Sequence, residues 1–168
     1  MKNIAVLLLP VVMMALSACG FQLRGHSKLP AGMERIYLQS DASTLLLRQL
    51  RQSLIKSGAQ MVDDVSDATA IIVVDKEERG RGVLSVSDTA RVREYESRYS
   101  VRFTVTSVSG DVMVPRQTIE QRRDYSFNEN VVLAKEREEA SLIRDMQVDA
   151  VQGMLRKIMY TNKSVNQP

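Results

Sequence analysis

Apolar positions along the chain recur with two different spacings, and each spacing predicts its own kind of element. In residues 34–39, Ile36 and Leu38 share one face of an alternating segment, which predicts a first strand. Apolar residues then recur at intervals of three and four, which predicts an amphipathic helix. This helix follows the capping side chains of residues 41–44, ends near Gly58, and presents Leu45, Leu46, Leu47, Leu50, Leu54 and Ile55.

Three further strands are predicted downstream. The β-branched run 70–74 is typical of a strand that is covered on both faces. From Tyr95 to Ser107, odd positions are mostly aromatic or β-branched and even positions are charged or hydroxylated, so one long strand has an apolar and a polar face. Residues 83–86 either extend this strand backwards or end a preceding hairpin arm, while residues 80–82 indicate a flexible hairpin tip.

The last two elements complete one domain. A turn at residues 109–111 precedes a strand over 112–127, in which Pro115 predicts an edge position or a bulge. A long helix follows, capped by Asn128 or Asn130, with the apolar stripe Leu133, Ala140, Ile143, Ala150, Met154 and Ile158. The order β-α-β-β-β-α predicts an α+β fold over residues 34–160: a mixed four-stranded sheet with both helices packed on one face. Residues 161–168 are expected to form a flexible tail.

The N-terminus differs in composition from this domain. Residues 1–18 carry one charge, on Lys2, and an apolar run too short to cross a bilayer, so they are predicted to be a secretory signal. The sequence Leu16-Ser17-Ala18-Cys19-Gly20 resembles a bacterial lipobox, which implies cleavage before Cys19 and acylation of that residue. The alternative is an ordinary signal peptide with an incidental cysteine. Gly20, in place of a retention aspartate, predicts transport to the outer membrane, with residues 19–33 as a tether.

The composition excludes most kinds of catalytic, metal-binding and nucleic-acid-binding site. The 23 Lys and Arg against 20 Asp and Glu leave a net charge of +3, so a dedicated nucleic-acid binder is not expected. One Cys and one His cannot supply a zinc site, an iron–sulfur cluster or an internal disulfide. His26 lies in the tether, which cannot hold a general base in place. Adjacent carboxylates in the pairs 63–64 and 138–139 point apart and are expected to be solvated surface. We therefore expect no enzyme activity, no catalytic or metal-binding residue and no cofactor.

Arginines are concentrated on the later strands, and two interpretations of them remain open. If neighbouring strands pair as a hairpin, their guanidinium groups share a face and suit phosphate recognition. The other interpretation is a solvated sheet face that is balanced by Glu94, Glu96, Glu120 and Asp124. The arginines concerned are Arg79, Arg81, Arg91, Arg93, Arg98, Arg102, Arg116, Arg122 and Arg123.

Several short motifs occur in an order that resembles the LptE family of lipopolysaccharide-assembly lipoproteins. They are Cys19-Gly20-Phe21-Gln22-Leu23-Arg24-Gly25, then Leu29-Pro30, Glu94-Tyr95 and Leu133-Ala134-Lys135. The resemblance implies a non-enzymatic outer-membrane lipoprotein that faces the periplasm and sits as a 1:1 plug in the lumen of the LptD β-barrel. It also implies assistance to the assembly of that barrel, and binding of lipopolysaccharide during delivery to the outer leaflet.

The resemblance also suggests residues for lipopolysaccharide binding. Lys135 falls on the lysine of the family's Leu-Ala-Lys motif, in the first turn of the last helix, where a cation is mildly unfavourable for the helix itself. A second family position is basic, but Asp88 stands there in this chain, and we expect Arg91 or Arg93 to substitute from the same loop. The polar positions Ser100, Arg102, Thr104 and Thr106 are expected to contact the barrel.

Two other classes of function share the anchor and the small domain. One is an outer-membrane lipoprotein that regulates a periplasmic cell-envelope enzyme, and the other is a lipid-anchored hydrolase. The hydrolase is disfavoured because the sequence has no recognisable pair of nucleophile and base.

Overall fold

Five strands and two helices make up the computed structural model, which describes residues 29–127 and 132–165. The elements are β1 (Arg35–Ser40), α1 (Thr44–Lys56), β2 (Gln60–Val62), β3 (Ala70–Val86), β4 (Val92–Ser107), β5 (Val112–Ser126) and α2 (Val132–Val165). A single turn of 3-10 helix (Val65–Asp67) connects β2 to β3. The predicted signal segment 1–18, Cys19, His26 and the capping candidates Asn128 and Asn130 lie outside the described residues.

The strands form one mixed sheet in the order β2-β1-β3-β4-β5. Strand β1 pairs in parallel with both β2 and β3, whereas β3, β4 and β5 form an antiparallel meander. The predicted α+β class with two helices and a mixed sheet is confirmed, but the sheet has five strands instead of four. The additional strand is β2, whose three residues are too few to show a period of two.

Helix α1 begins and ends where its sequence predicts. The Ser43 hydroxyl accepts a hydrogen bond from the Leu46 N–H, which satisfies one of the free donors at the helix start. At the other end Gly58 adopts φ +97°, a conformation that costs glycine little. The N–H groups of Gly58 and Ala59 donate to the carbonyls of Ile55 and Leu54, which is the Schellman arrangement.

Strand β3 is much longer than the run 70–74 that predicted it. It continues to Val86, so residues 83–86 end the first arm of the hairpin, one of the two alternatives left open. The predicted hairpin tip at residues 80–82 is therefore wrong. The tip lies between Ser87 and Arg91, where Ala90 has a positive φ of 59° and the Ser87 N–H donates to the Arg91 carbonyl. Sequence periodicity missed this half of β3 because most of its side chains are charged or absent.

Strand β5 forms one edge of the sheet and is irregular near Pro115, as predicted. Its register with β4 shifts between the pairs Phe103–Gln117 and Val105–Val114, so Pro115 and Arg116 form the irregularity. Proline, which has no backbone N–H, fits at such a position because no ladder hydrogen bond is required from it there.

One continuous core lies between the helices and a single face of the sheet. Its largest members are Tyr99, Phe103, Met33, Ile36, Ile72, Leu46, Leu50, Leu54, Met146, Met154 and Ile158. Met33 is the last residue of the predicted tether, and the structure buries it in the core. On α2, Ala150 is buried as predicted and Ile143 packs at the margin, but Ala140 is exposed. The helix continues to Val165, beyond the predicted end of the domain at residue 160. In the described ranges, neither helix combines the length and apolarity that a membrane span requires.

Candidate functional site

The sheet has two ends of different character. Strand β1 pairs with β3 only as far as the pair Ser40–Val74, and we call this part the proximal end. Beyond Val74, β3, β4 and β5 continue as a three-stranded ribbon, which we call the distal end. The first turns of α2 cross this ribbon, since Arg81 of β3 contacts Glu139 and the Lys135 Nζ lies 3.3 Å from the Ser126 Oγ of β5.

The three predicted lipopolysaccharide-binding residues lie at the distal end. Arg93 is the second residue of β4, and its carbonyl accepts the N–H of Phe127, next to the Ser126 that Lys135 reaches. Arg91 lies in the hairpin tip, where its N–H donates to the Ser87 Oγ. Asp88 is exposed in the same tip. The chain therefore places a helix residue and two hairpin residues at one end of the molecule.

Lys135 has local partners that the sequence did not predict. Its Nζ lies 2.7 Å from the Glu138 carboxylate, and its side chain is only 18% exposed. The first turn of α2 contains no acidic residue, so nothing there offsets the unfavourable position of a cation near the helix start. The ion pair with Glu138, one turn further along, supplies that compensation locally.

An aromatic cleft lies beside Lys135, and sequence reasoning missed it. We use this name for the cavity of about 170 Å³ that is lined by Arg81, Tyr95, Tyr125, Phe127, Lys135, Glu136 and Glu139. The Tyr95 ring lies 5.8 Å from the Tyr125 ring and 5.1 Å from the Phe127 ring, edge-on to the latter. The Arg81 guanidinium stacks 4.7 Å above Tyr95 and pairs with Glu139 at 3.1 Å.

The polar groups of the aromatic cleft are unevenly satisfied. Tyr125 is 6% exposed, and its hydroxyl interacts with the side chains of Arg81 and Glu139, although neither contact has the geometry of a good hydrogen bond. Burial raises the pKa of Tyr125, so the hydroxyl stays protonated. The Glu139 side chain is only 20% exposed, and the prediction that the pair 138–139 is plain solvated surface is wrong for this residue.

A polar cluster around Glu77 lies at the border between the two ends. The Glu77 carboxylate accepts hydrogen bonds from the Ser43 N–H at 2.5 Å, the Tyr99 hydroxyl at 2.8 Å, the Gln147 amide at 3.1 Å and the Arg79 guanidinium at 3.1 Å. Burial alone would raise the pKa of Glu77, but these hydrogen bonds, led by that from Ser43, outweigh it and lower the pKa to about 2. The cluster joins both helices to two strands and is structural.

The face of the sheet that points away from the helices, which we call the open face, is polar. Ser100, Arg102, Thr104 and Thr106 lie on it and are half-buried, while the residues between them belong to the core, as the alternation predicted. The Asp75 carboxylate joins Arg102 at 3.0 Å and Arg116 at 3.3 Å, so one acid links three strands.

Most of the arginines are neutralised by nearby acids, which supports the balanced-surface interpretation over a preformed anion site. Arg98 and Arg122 face each other directly across β4 and β5, but each also contacts a carboxylate on its own strand, Glu96 and Glu120 respectively. Arg79 and Arg81 point to the helix side. On β5, Arg123 pairs with Asp149 of α2 at 2.6 Å.

The described residues contain no group of three or more His, Cys, Asp or Glu side chains that is arranged to hold a metal ion. The arrangement offers hydrogen-bond donors, stacked rings and fixed charges, all of which suit binding.

Comparison with known proteins identifies the fold's relatives. Residues 33–158 match the family model described as LptE, lipopolysaccharide-assembly. An LPS-assembly lipoprotein LptE from Yersinia enterocolitica is 30% identical over 160 residues, covering 94% of this chain and 76% of the relative. A namesake from Pectobacterium atrosepticum is 27% identical, covering 94% of this chain and 86% of the relative.

Solved structures agree with the sequence relatives. The solution structure of an uncharacterized lipoprotein B from Nitrosomonas europaea has a TM-score of 0.73 and 33% identity, covering 86% of this chain and 93% of that one. The crystal structure of the rare lipoprotein B from Shewanella oneidensis has a TM-score of 0.69 and 27% identity, covering 79% of this chain and 99% of that one. The chain therefore belongs to the LptE family of lipopolysaccharide-assembly lipoproteins, a family of outer-membrane proteins that is not known for catalysis, and this membership implies a role in lipopolysaccharide transport.

Proposed function

We propose that the chain is an outer-membrane lipoprotein, anchored by acyl chains on Cys19, whose domain plugs the LptD β-barrel and binds lipopolysaccharide during its delivery. The observation that carries the proposal is the polar open face. The lumen of an outer-membrane barrel is polar, so a plug needs a surface of hydroxyls and charges. Ser100, Thr104 and Thr106 supply hydroxyls there, and the Arg102–Asp75–Arg116 linkage supplies fixed charges.

Lipopolysaccharide binding is proposed at the distal end. Lipopolysaccharide carries phosphates, and cations that are placed together on an accessible surface attract them. Lys135 and Arg93 lie at this end, with the exposed hairpin tip of Arg91 beside them, and the partners of Lys135 hold its side chain in one place. The binding site is thus separated from the open face, which leaves the plug able to contact the barrel and the glycolipid together.

Site-specific crosslinking tests the docking face. Photocrosslinking residues at Ser100, Thr104 and Thr118, the last lying exposed on β5 directly opposite Arg102, should capture a large outer-membrane barrel protein in intact cells. Matched positions at Arg48 and Gln52, exposed on α1, serve as controls and should capture it weakly or not at all. Capture from the helix positions alone would refute the docking face, and recovery of a periplasmic enzyme in place of a barrel would support the regulatory alternative.

Charge reversal tests lipopolysaccharide binding. The double substitution Lys135→Asp and Arg91→Asp should weaken binding to purified lipopolysaccharide and leave barrel association unchanged. Arg48→Asp, which makes the same change of charge on α1, should have no effect. Added salt should also weaken binding by the unmodified chain, because screening acts on phosphate contacts. Unchanged affinity of the double variant would contradict the assignment.

The anchor has its own test. Cys19→Ala should abolish lipid labelling and release the chain from the membrane, while the domain from Arg35 onward should still fold. Unfolding of the Cys19→Ala chain, measured by circular dichroism, would contradict the proposed boundary between tether and domain.

A further inference from the structure

We infer that the edge of β3 at the distal end pairs with an extended strand of the barrel protein, and that this strand places an aromatic side chain over Gly80. Strand β1 stops pairing with β3 at the pair Ser40–Val74, and the described residues supply no other strand on that side of β3. We call residues 78–83 of β3 the free edge. The inference deepens the proposed function and rests on it, because it specifies one contact between the plug and its barrel.

The backbone groups of the free edge point outward at alternate residues. Phe127 donates its N–H to the Arg93 carbonyl, so the odd-numbered residues of β4 point their backbone groups towards β5 and the even-numbered ones towards β3. Between Glu78 and Gly82, these even-numbered residues lie opposite even-numbered residues of β3. The odd-numbered residues of the free edge therefore point their N–H and C=O groups away from the sheet. They are Arg79, Arg81 and Val83.

The end of the free edge lacks the protection that natural proteins give to unpaired strands. Charged side chains commonly prevent such strands from pairing with other chains. Residues 82–86 carry no charge, and the side chains of Val83, Leu84 and Val86 are about half exposed. A register shift between Val83 and Ser85 ends the regular part of the edge, so the added strand is short. An uncharged edge with exposed apolar side chains is typical of a strand that another chain covers.

A hollow on the open face indicates which side chain the added strand carries. The hollow has a volume of about 390 Å³, and its lining includes Gly80, Arg98 and Arg122 in one row across the strands and Glu78 and Glu120 in the next row. A Cβ atom built on Gly80 meets no atom within 4 Å, so the space above this backbone is open. Rings on a neighbouring strand cover glycines of this kind, and guanidinium groups stack on rings. Gly80 also lies at a position between outward hydrogen bonds, where side chains of facing strands approach most closely.

The added strand comes from the barrel protein and from neither the tether nor a second copy. A Cβ atom built on Gly32 would lie 3.3 Å from Met113, at the start of β5, so the chain enters the domain at the proximal end, away from the free edge. A two-fold pairing of two copies that uses all three outward residues places Arg81 opposite Arg81, and like charges repel. The hollow instead continues the open face, which is the surface proposed to dock against the barrel.

Hydrogen exchange at single amides is the direct test of strand addition. The full chain is purified alone and in complex with the outer-membrane barrel protein from the same cells. In the free chain the amides of Arg81 and Val83 should exchange fast, because they point to solvent, and those of Gly80 and Gly82 should exchange more slowly, because they pair with β4. In the complex, exchange at Arg81 and Val83 should slow by about tenfold or more.

Three variants separate the main-chain contact from the side chains. Each is expressed together with the unmodified chain, and the ratio of the two chains on an affinity-tagged barrel gives the relative affinity. Val83→Pro removes an outward N–H and should weaken binding by about threefold to tenfold. Val83→Thr keeps the N–H and a similar shape, so this matched control should compete equally. Gly80→Thr fills the hollow and should also weaken binding, while the melting temperature of the free chain stays equal or rises because threonine favours strands.

The outcomes distinguish this inference from the proposed function. If the chain co-purifies with the barrel but the Arg81 and Val83 amides still exchange fast, strand addition is wrong and the plug stands. Recovery of Val83→Pro and Gly80→Thr equal to that of the unmodified chain leads to the same conclusion. Protection of these amides in the isolated chain, together with a doubled mass, would assign the free edge to a second copy. If no barrel co-purifies with the unmodified chain, the plug is wrong and strand addition is wrong with it.

Discussion

Where β1 pairs with β3, the sheet carries fully buried residues such as Ile72, Phe103 and Val105 beneath the helices. Beyond Val74, β3 instead carries charged side chains and two glycines, and its contacts to α2 are polar, such as the Arg81–Glu139 ion pair and the Gln147–Glu77 hydrogen bond. Burial of apolar area contributes most of the stability of a domain, whereas exposed ion pairs contribute little. The proximal end therefore holds the fold together, and the distal end is left able to carry groups that serve binding.

Truncation of one phenylalanine at each end is the most severe test of this difference. Phe103→Ala empties a fully buried position and should lower the free energy of unfolding by about 3–5 kcal/mol. Phe127→Ala, at a half-buried position in the aromatic cleft, should cost roughly 1 kcal/mol. Urea denaturation followed by circular dichroism measures both values. Equal losses would mean that the distal end is part of the stabilising core.

Glu77 lies at the border between the two ends, and its replacement should have the next largest effect on the free energy of unfolding. Glu77→Gln should cost on the order of 2 kcal/mol at neutral pH, because the carboxylate joins α1, α2, β3 and β4. The folded chain holds the pKa of Glu77 at about 2, below its ordinary value of 4.5. The stability that Glu77 contributes is therefore complete above pH 4.5 and is lost as the pH falls towards 2.

The matched measurement is unfolding at a series of pH values. The unmodified chain should lose stability between pH 4.5 and pH 2 more steeply than Glu77→Gln. Glu78→Gln, an exposed neighbour on the same strand, should behave like the unmodified chain. Parallel pH profiles for the unmodified chain and Glu77→Gln would show that Glu77 is not the group responsible.

The same difference between apolar burial and polar contacts explains how much of each end the sequence predicted. At the proximal end, Ser43 and Gly58 bound α1 through local chemistry, and the apolar spacing identifies the strands that bury side chains. At the distal end the relevant contacts are long-range, such as Arg81 with Glu139, which are 58 positions apart. No local pattern encodes such a contact.

The aromatic cleft was missed for a more specific reason. Tyr95 and Tyr125 were each placed correctly on an alternating strand, but their direct opposition depends on the register of β4 against β5. That register shifts near Pro115, so counting outward from the turn at residues 109–111 gives the wrong partners. Pro115 predicts that an irregularity exists, but it does not give the number of residues by which the register moves.

Removing a tyrosine hydroxyl should cost more stability at the Glu77 cluster than in the aromatic cleft. Tyr99→Phe breaks a 2.8 Å hydrogen bond to Glu77 and should destabilise the chain by about 1 kcal/mol. Tyr125→Phe removes a buried hydroxyl whose contacts to Arg81 and Glu139 lack good hydrogen-bond geometry, and it should change the free energy of unfolding by less than Tyr99→Phe does. Thermal denaturation of the two variants in one buffer decides the matter. Equal destabilisation by the two variants would show that the Tyr125 hydroxyl is as well hydrogen-bonded as that of Tyr99.

The smallest expected effect concerns the open face, where charge is arranged for contact and not for stability. Arg98 and Arg122 lie directly opposite each other, and like charges at such positions repel. Arg122 is 61% exposed, so solvent screens the repulsion, and Arg122→Ser should raise the free energy of unfolding by no more than a few tenths of a kcal/mol.

Arg102→Ser is the matched change on the same face. It breaks a better-buried pair with Asp75 and should cost up to about 1 kcal/mol. Urea midpoints at low and high salt measure both, and the Arg122→Ser gain should vanish at high salt because screening removes the repulsion. A clear loss of stability in Arg122→Ser would mean that the opposed arginines stabilise the isolated domain, and the open face would then need no partner to explain its charges.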